Sequence, residues 1–94
     1  MTVAIARVTL VIASAQSLKD KRSVVKRLKD LVRQKFNVSV AEIDGHDLWQ
    51  RSVVAAVTVA ADRAFGERIL QAVEQEAAAL LGPQLAGATV EWLA

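Results

Sequence analysis

Apolar and polar positions along this chain switch repeatedly between a period of two and a period near 3.6. Residues 2–13 form an almost unbroken run of Val, Ile, Ala, Leu and Thr. Both parities are apolar, with Val3, Ile5 and Val11 on one side and Val8, Leu10 and Ile12 on the other. Such a strand is central, with both faces at least partly covered. From Ser17 the helical period takes over. Leu18, Val24, Val25, Leu28, Leu31 and Val32 share one face of a helix that runs to about Gln34. Ser17 followed three residues later by Asp20 is a helix-start signal. The hydroxyl accepts from an orphan amide, and the carboxylate favours the positive end of the helix. Residues 36–44 then alternate. Phe36, Val38 and Val40, with Glu42 in line, point one way, and Asn37, Ser39, Ala41 and Ile43 the other. That is a half-exposed, edge-like strand. A polar loop through Gly45, His46 and Asp47 leads to a second Val/Ala/Thr run from Ser52 to Ala61, which pairs with the first as a hairpin with a long connection. Asp62 caps a second helix over 63–81, with Phe65, Ile69, Val73 and Leu80 inward, and Gly82-Pro83 stops it. Residues 87–93 form a short last strand.

The order β-α-β-β-α-β predicts an α+β fold. With right-handed crossovers it becomes a four-stranded antiparallel sheet carrying both helices on one face, the ferredoxin-like arrangement. The 94 residues are enough for one domain (1–94) and a modest core. The absence of cysteine removes disulfides, thiolate nucleophiles and Cys-based zinc sites. Arg7 breaks the first apolar run, no basic segment precedes it, and no window of about 18 residues is apolar enough to span a bilayer. The expectation is a soluble cytoplasmic protein.

Charge changes the picture more than composition does. Eight of the twelve Lys and Arg residues lie between Ser17 and Phe36, opposed only by Asp20 and Asp30, so this segment carries +6. The remainder, with four basic and eight acidic residues, carries −4. Lys19, Arg22, Lys26, Lys29 and Arg33 recur at spacings of 3, 4, 3 and 4, a ridge about 21 Å long at ~1.5 Å per residue. A ridge of this kind can follow a nucleic-acid backbone. The plainer reading is a solvated outer face, although such faces usually mix the signs. Lys21 falls among the apolar residues of the helix, so it either snorkels from the first turn or reaches over the sheet end towards a partner.

The hairpin loop gathers Asp44, His46, Asp47, Trp49 and Arg51. Asp44, His46 and Asp47 could in principle hold a divalent metal with oxygen and imidazole ligands, but their spacing matches no dedicated metal motif and the plainer reading is a polar loop. Trp49 at a strand end can cap the core, anchor a protein or stack on a base. The central strands carry no aromatic residue, which argues against base stacking on the open sheet and for self-association through a Val/Ala-rich face. There is no glycine-rich phosphate loop and no Gly-x-Ser-x-Gly. The loop Ala13-Ser14-Ala15-Gln16-Ser17 also lacks the glycine cradle of acylphosphatases, which share this topology. Catalytic residues and cofactors are not expected.

Two segments, Ser17-Leu18-Lys19-Asp20-Lys21-Arg22 and the hairpin from Phe36 through Asp47-Leu48-Trp49-Gln50-Arg51, resemble the bacterial YlxP-like family, catalogued as a domain of unknown function. The resemblance covers nearly the whole chain. It implies a ferredoxin-like fold. It also implies an RNA or ribosome partner, because genes of the family often lie among those for translation initiation and ribosome maturation. It carries over no catalytic residue. Lys19, Lys21, Arg22, Asp44, Asp47, Trp49, Gln50 and Arg51 are the positions that match its motifs. Two functional readings follow. One is an RNA-binding module that uses Lys19, Lys21, Arg22, Lys26, Lys29, Arg33, Trp49 and Arg51. The other is a homodimeric protein-interaction or regulatory module without nucleic acid.

Overall fold

A computed structural model describes residues 2–11, 15–46 and 48–93. The elements are β1 (Thr2–Val11), α1 (Leu18–Lys35), β2 (Ser39–Asp44), β3 (Arg51–Ala60), α2 (Arg63–Leu81), a 3-10 turn (Gly82–Gln84) and β4 (Leu85–Trp92). The strands form one antiparallel sheet in the order β2-β3-β1-β4. β1 and β3 are therefore central and β2 is an edge, as the burial patterns in the sequence predict. β2 begins at Ser39 rather than Phe36. Phe36 instead ends α1, its amide donating to the Val32 carbonyl at 3.0 Å. The end of the predicted first strand, residues 12 and 13, lies outside the described residues.

Both helix starts are capped as the sequence predicts. The Ser17 hydroxyl accepts from the Asp20 amide at 3.2 Å, and the Asp20 carboxylate accepts in turn from the Gln16 amide at 2.9 Å. Asp62 accepts from the Phe65 amide at 2.9 Å. Gly82, at φ +54°, closes α2 by donating to the Ala78 carbonyl.

The core lies between the helices and one face of the sheet. Val25, Leu28 and Val32 of α1 and Val73, Ala77 and Leu81 of α2 pack on Val54 and Ala56 of β3, while Leu70 packs on Ala4 and Ala6 of β1. Small residues on the central strands let both helices sit close to the sheet. The inward face of α2 agrees with the predicted one at Val73, with Ile69 and Leu80 packed against the core beside it, and differs at Phe65. Its buried seam is Gly66, Leu70, Val73, Ala77 and Leu81, and Phe65 is 48% exposed. A Cβ at Gly66 would lie 3.4 Å from both the Ala60 methyl and the Trp92 ring, so the first turn of α2 comes close to the sheet at the glycine. Arg63 covers the Trp92 ring at 4.5 Å.

Among the described residues no helix packs on the opposite face of the sheet. Val53 and Ala55 are buried, whereas Val11, Ile43 and Val59 are exposed. A register shift between Glu42 and Asp44 makes Ile43 an extra residue where β2 enters the loop.

Candidate functional site

The cations of α1 form the ridge that their spacing predicts, and it borders a groove. Arg22, Lys26, Lys29 and Arg33 line a concavity of about 370 Å³ against Val25 and the Glu42 side chain of β2. Asp30 lies on the same wall and pairs with Lys26 at 2.6 Å and Arg33 at 3.8 Å. The hydrogen bond from Lys26 is the largest influence on the Asp30 carboxyl and holds it below its ordinary value. Among the described residues, Lys19, Arg22 and Lys29 make no ion pair. The i,i+3 and i,i+4 spacings of Asp30 to its two partners already signalled this partial neutralisation.

Arg33 also donates to the Val40 carbonyl at 3.3 Å, and His46 Nε2 donates to the Glu42 carbonyl at 3.1 Å. Two alternate carbonyls of the edge strand are thus taken by side chains, which blunts β2 as a template for a further strand.

Lys21 does not reach a partner. Its side chain is 0% exposed, on the buried seam of α1 with Val25, Leu28 and Val32. The ammonium donates to Glu42 Oε2 at 2.8 Å, to the Gly45 carbonyl at 2.6 Å and to the His46 carbonyl at 3.2 Å. Three hydrogens meet three acceptors, so this cation is withdrawn from any phosphate contact. Glu42 also accepts from the buried Ser52 hydroxyl. Burial pushes the Glu42 carboxyl up, but the hydrogen bonds from Lys21 and Ser52 and the Lys21 charge outweigh it and hold the carboxyl below its ordinary value of 4.5. Glu42, Ser52 and Gly45 were not among the sequence-predicted contacts. The signal for the pair was nonetheless present: one cation on the apolar face of α1 and one anion on the apolar face of β2.

The loop between β2 and β3 displays Leu48 and Trp49, and Arg51, the first residue of β3, is exposed beside them. Trp49 is 52% exposed, so it does not cap the core. With Leu48, Gln50 and Arg51 it lines an open concavity of about 490 Å³. Arg51 stands 3.7 Å from Asp44, whose other oxygen accepts from the Gly45 amide at 2.8 Å. Gln50 donates to the Ala15 carbonyl at 3.3 Å, tying the loop to the connection before α1. Asp47 lies outside the described residues.

Fold and surface together define a small ferredoxin-like α+β domain with one basic helix and one bare sheet face. Residues 3–86 match the family described as protein of unknown function (DUF503), and the chain belongs to that family. It is 44% identical over 63 residues to the uncharacterized protein YlxP of Bacillus subtilis (strain 168), covering 67% of this chain and 68% of that one. Among solved structures, a putative antibiotic biosynthesis monooxygenase from Bordetella bronchiseptica is similar at TM-score 0.58 and 16% identity, covering 100% and 97% of the two chains. A dimeric ferredoxin-like protein of unknown function from Thermobifida fusca is similar at TM-score 0.52 and 18% identity, covering 98% and 91%. At these identities the likeness shows the fold alone. Among the described residues no helix is long and apolar enough to cross a membrane.

Proposed function

We propose that this protein is a cytoplasmic accessory module that docks on structured RNA, ribosomal RNA in the first place, through the exposed ridge of α1. The observation that supports this most is the convergence of Arg22, Lys26, Lys29 and Arg33 on one groove, with Lys19 at the N-terminal end of the same ridge. Phosphates neutralised by Lys19, Arg22 and Lys29 alone give a log–log salt slope of about −2 to −2.7. If phosphates also displace Asp30 from Lys26 and Arg33, five contacts give about −3.5 to −4.5. Trp49 and Arg51 contribute a second contact at the hairpin loop, by stacking and by charge. The test is binding to purified small ribosomal subunits and their RNA at low and physiological salt, comparing wild type with a folded Lys26→Glu/Lys29→Glu/Arg33→Glu variant. Saturable, salt-sensitive binding that the variant loses is expected. Binding that is absent, or flat with salt, refutes the reading.

A second reading rests on the bare sheet face. Val11, Ile43 and Val59 are exposed on it beside half-buried Val3, Ile5 and Val57, and a dimer is the simplest cover for such a face. The similarly folded Thermobifida fusca protein is described as dimeric. Light scattering across a concentration series decides this, with a Val59→Lys variant expected to shift the equilibrium to monomer. A wild-type monomer at high concentration removes the reading. The two readings use different faces and are compatible.

A further inference from the structure

The Lys21 cluster ties four segments at one buried point: α1 through Lys21, β2 through Glu42, β3 through Ser52, and the loop through the Gly45 and His46 carbonyls. Two of the three acceptors of the ammonium are main-chain carbonyls of consecutive loop residues, and these can converge on one donor only if the chain turns there. Gly45 makes the turn at φ +80°, and a Cβ at this position would lie 2.6 Å from the Arg51 carbonyl oxygen, so the turn is closed against the start of β3. The Gly45 carbonyl accepts a second hydrogen bond, from the Leu48 amide at 3.0 Å. A single oxygen therefore links the buried ammonium to the residue before Trp49.

Holding α1 against the sheet does not require this pair. Well-packed apolar side chains of similar volume are often as stabilising as a buried ion pair. They cannot, however, donate to two carbonyls. We infer that Lys21 is a positioning residue, whose ammonium fixes the conformation in which the loop displays Trp49 beside Arg51. Its role in RNA recognition rests on the function proposed above, whereas its role in the loop does not.

The test replaces the whole cluster with apolar groups, Lys21→Met/Glu42→Met/Ser52→Ala. Three properties are then read: the thermal midpoint, amide hydrogen exchange at 48–50, and the emission of Trp49 in a Trp92→Phe background. The expected result is a folded protein whose midpoint stays close to the wild-type value, with amides at 48–50 exchanging at least ~10-fold faster and Trp49 emission shifted to the red. Retained protection at 48–50 in the folded variant overturns the inference. Failure of the variant to fold also overturns it, because the cluster then holds the fold and not the loop. RNA affinity is a separate arm. If wild type binds, the variant should lose about 5- to 150-fold, the range of one stacked base. Unchanged affinity with a loosened loop overturns the recognition role alone. If wild type binds no RNA, the proposed function fails and the exchange result still decides the loop.

Discussion

Replacing Lys21 alone by Met should be the most damaging single substitution on the polar residues of this fold, and its cost should depend on pH. The change keeps the length and apolar stem of the side chain but leaves the Glu42 carboxylate without its cation. Breaking a buried pair in this way typically costs about 3–5 kcal/mol. Lys21 is fully buried, but the Glu42 side chain retains 14% exposure, which places the cost near the lower end, about 3 kcal/mol at pH 7. A domain of this size has roughly 5–14 kcal/mol in total, so the variant folds with much of its margin removed. In wild type the folded Glu42 carboxyl lies below its ordinary value of 4.5. The pair's contribution is therefore complete above that value and is lost as pH falls through the folded one. In the variant, burial is opposed only by the Ser52 hydrogen bond and the weaker His46 charge, and the carboxyl moves up. The penalty is then present at neutral pH and relieved on acidification as the carboxyl protonates. The difference in stability between wild type and variant should accordingly shrink from pH 7 to pH 4. Other carboxylates, including Asp30 further along α1, are present in both proteins and cancel in this difference. Urea denaturation of both proteins at the two pH values measures it. A difference under about 1 kcal/mol at pH 7, or one that does not shrink with acid, refutes the account of the cluster.

Gly45→Ala should destabilise by more than the ~1–2 kcal/mol of a left-handed non-glycine residue, because the new methyl also meets the Arg51 carbonyl at 2.6 Å; chemical denaturation measures it, and a neutral result removes the closed turn. Gly66→Ala should be neutral or stabilise by up to about 1 kcal/mol, since its methyl meets Ala60 and Trp92 at contact distance. Gly66→Leu, by contrast, should lower the thermal midpoint clearly by forcing α2 off the sheet, and equal midpoints for the two would contradict the close approach. Asp30→Asn frees Lys26 and Arg33 and should tighten RNA binding and steepen its salt dependence, as read by titration at several ionic strengths; unchanged affinity means that the ridge makes no phosphate contact there.

Much of this architecture is local and could be read directly from residue order. Each element announces itself through the period of its apolar positions. Ser17, Asp62 and Gly82 mark helix ends because capping depends on a few neighbouring residues, and the crowding of cations into α1 needs no structure to be seen. The central position of β1 and the edge position of β2 followed from how many of their faces are apolar. Tertiary structure decided what depends on distant segments meeting. The periodicity of α2 placed Ile69, Val73 and Leu80 towards the core, but it did not show that Gly66 approaches Ala60 and Trp92 while Phe65 faces outward. Lys21 and Glu42 are 21 residues apart. Each looked anomalous alone on an apolar face, and only the packing of α1 across β2 turned two misplaced charges into one neutralised cluster. Sequence determined the elements because hydrogen bonding and capping are short-range. The fold determined which cations face solvent and which are buried, because the charge state and accessibility of a side chain depend on what the chain packs around it.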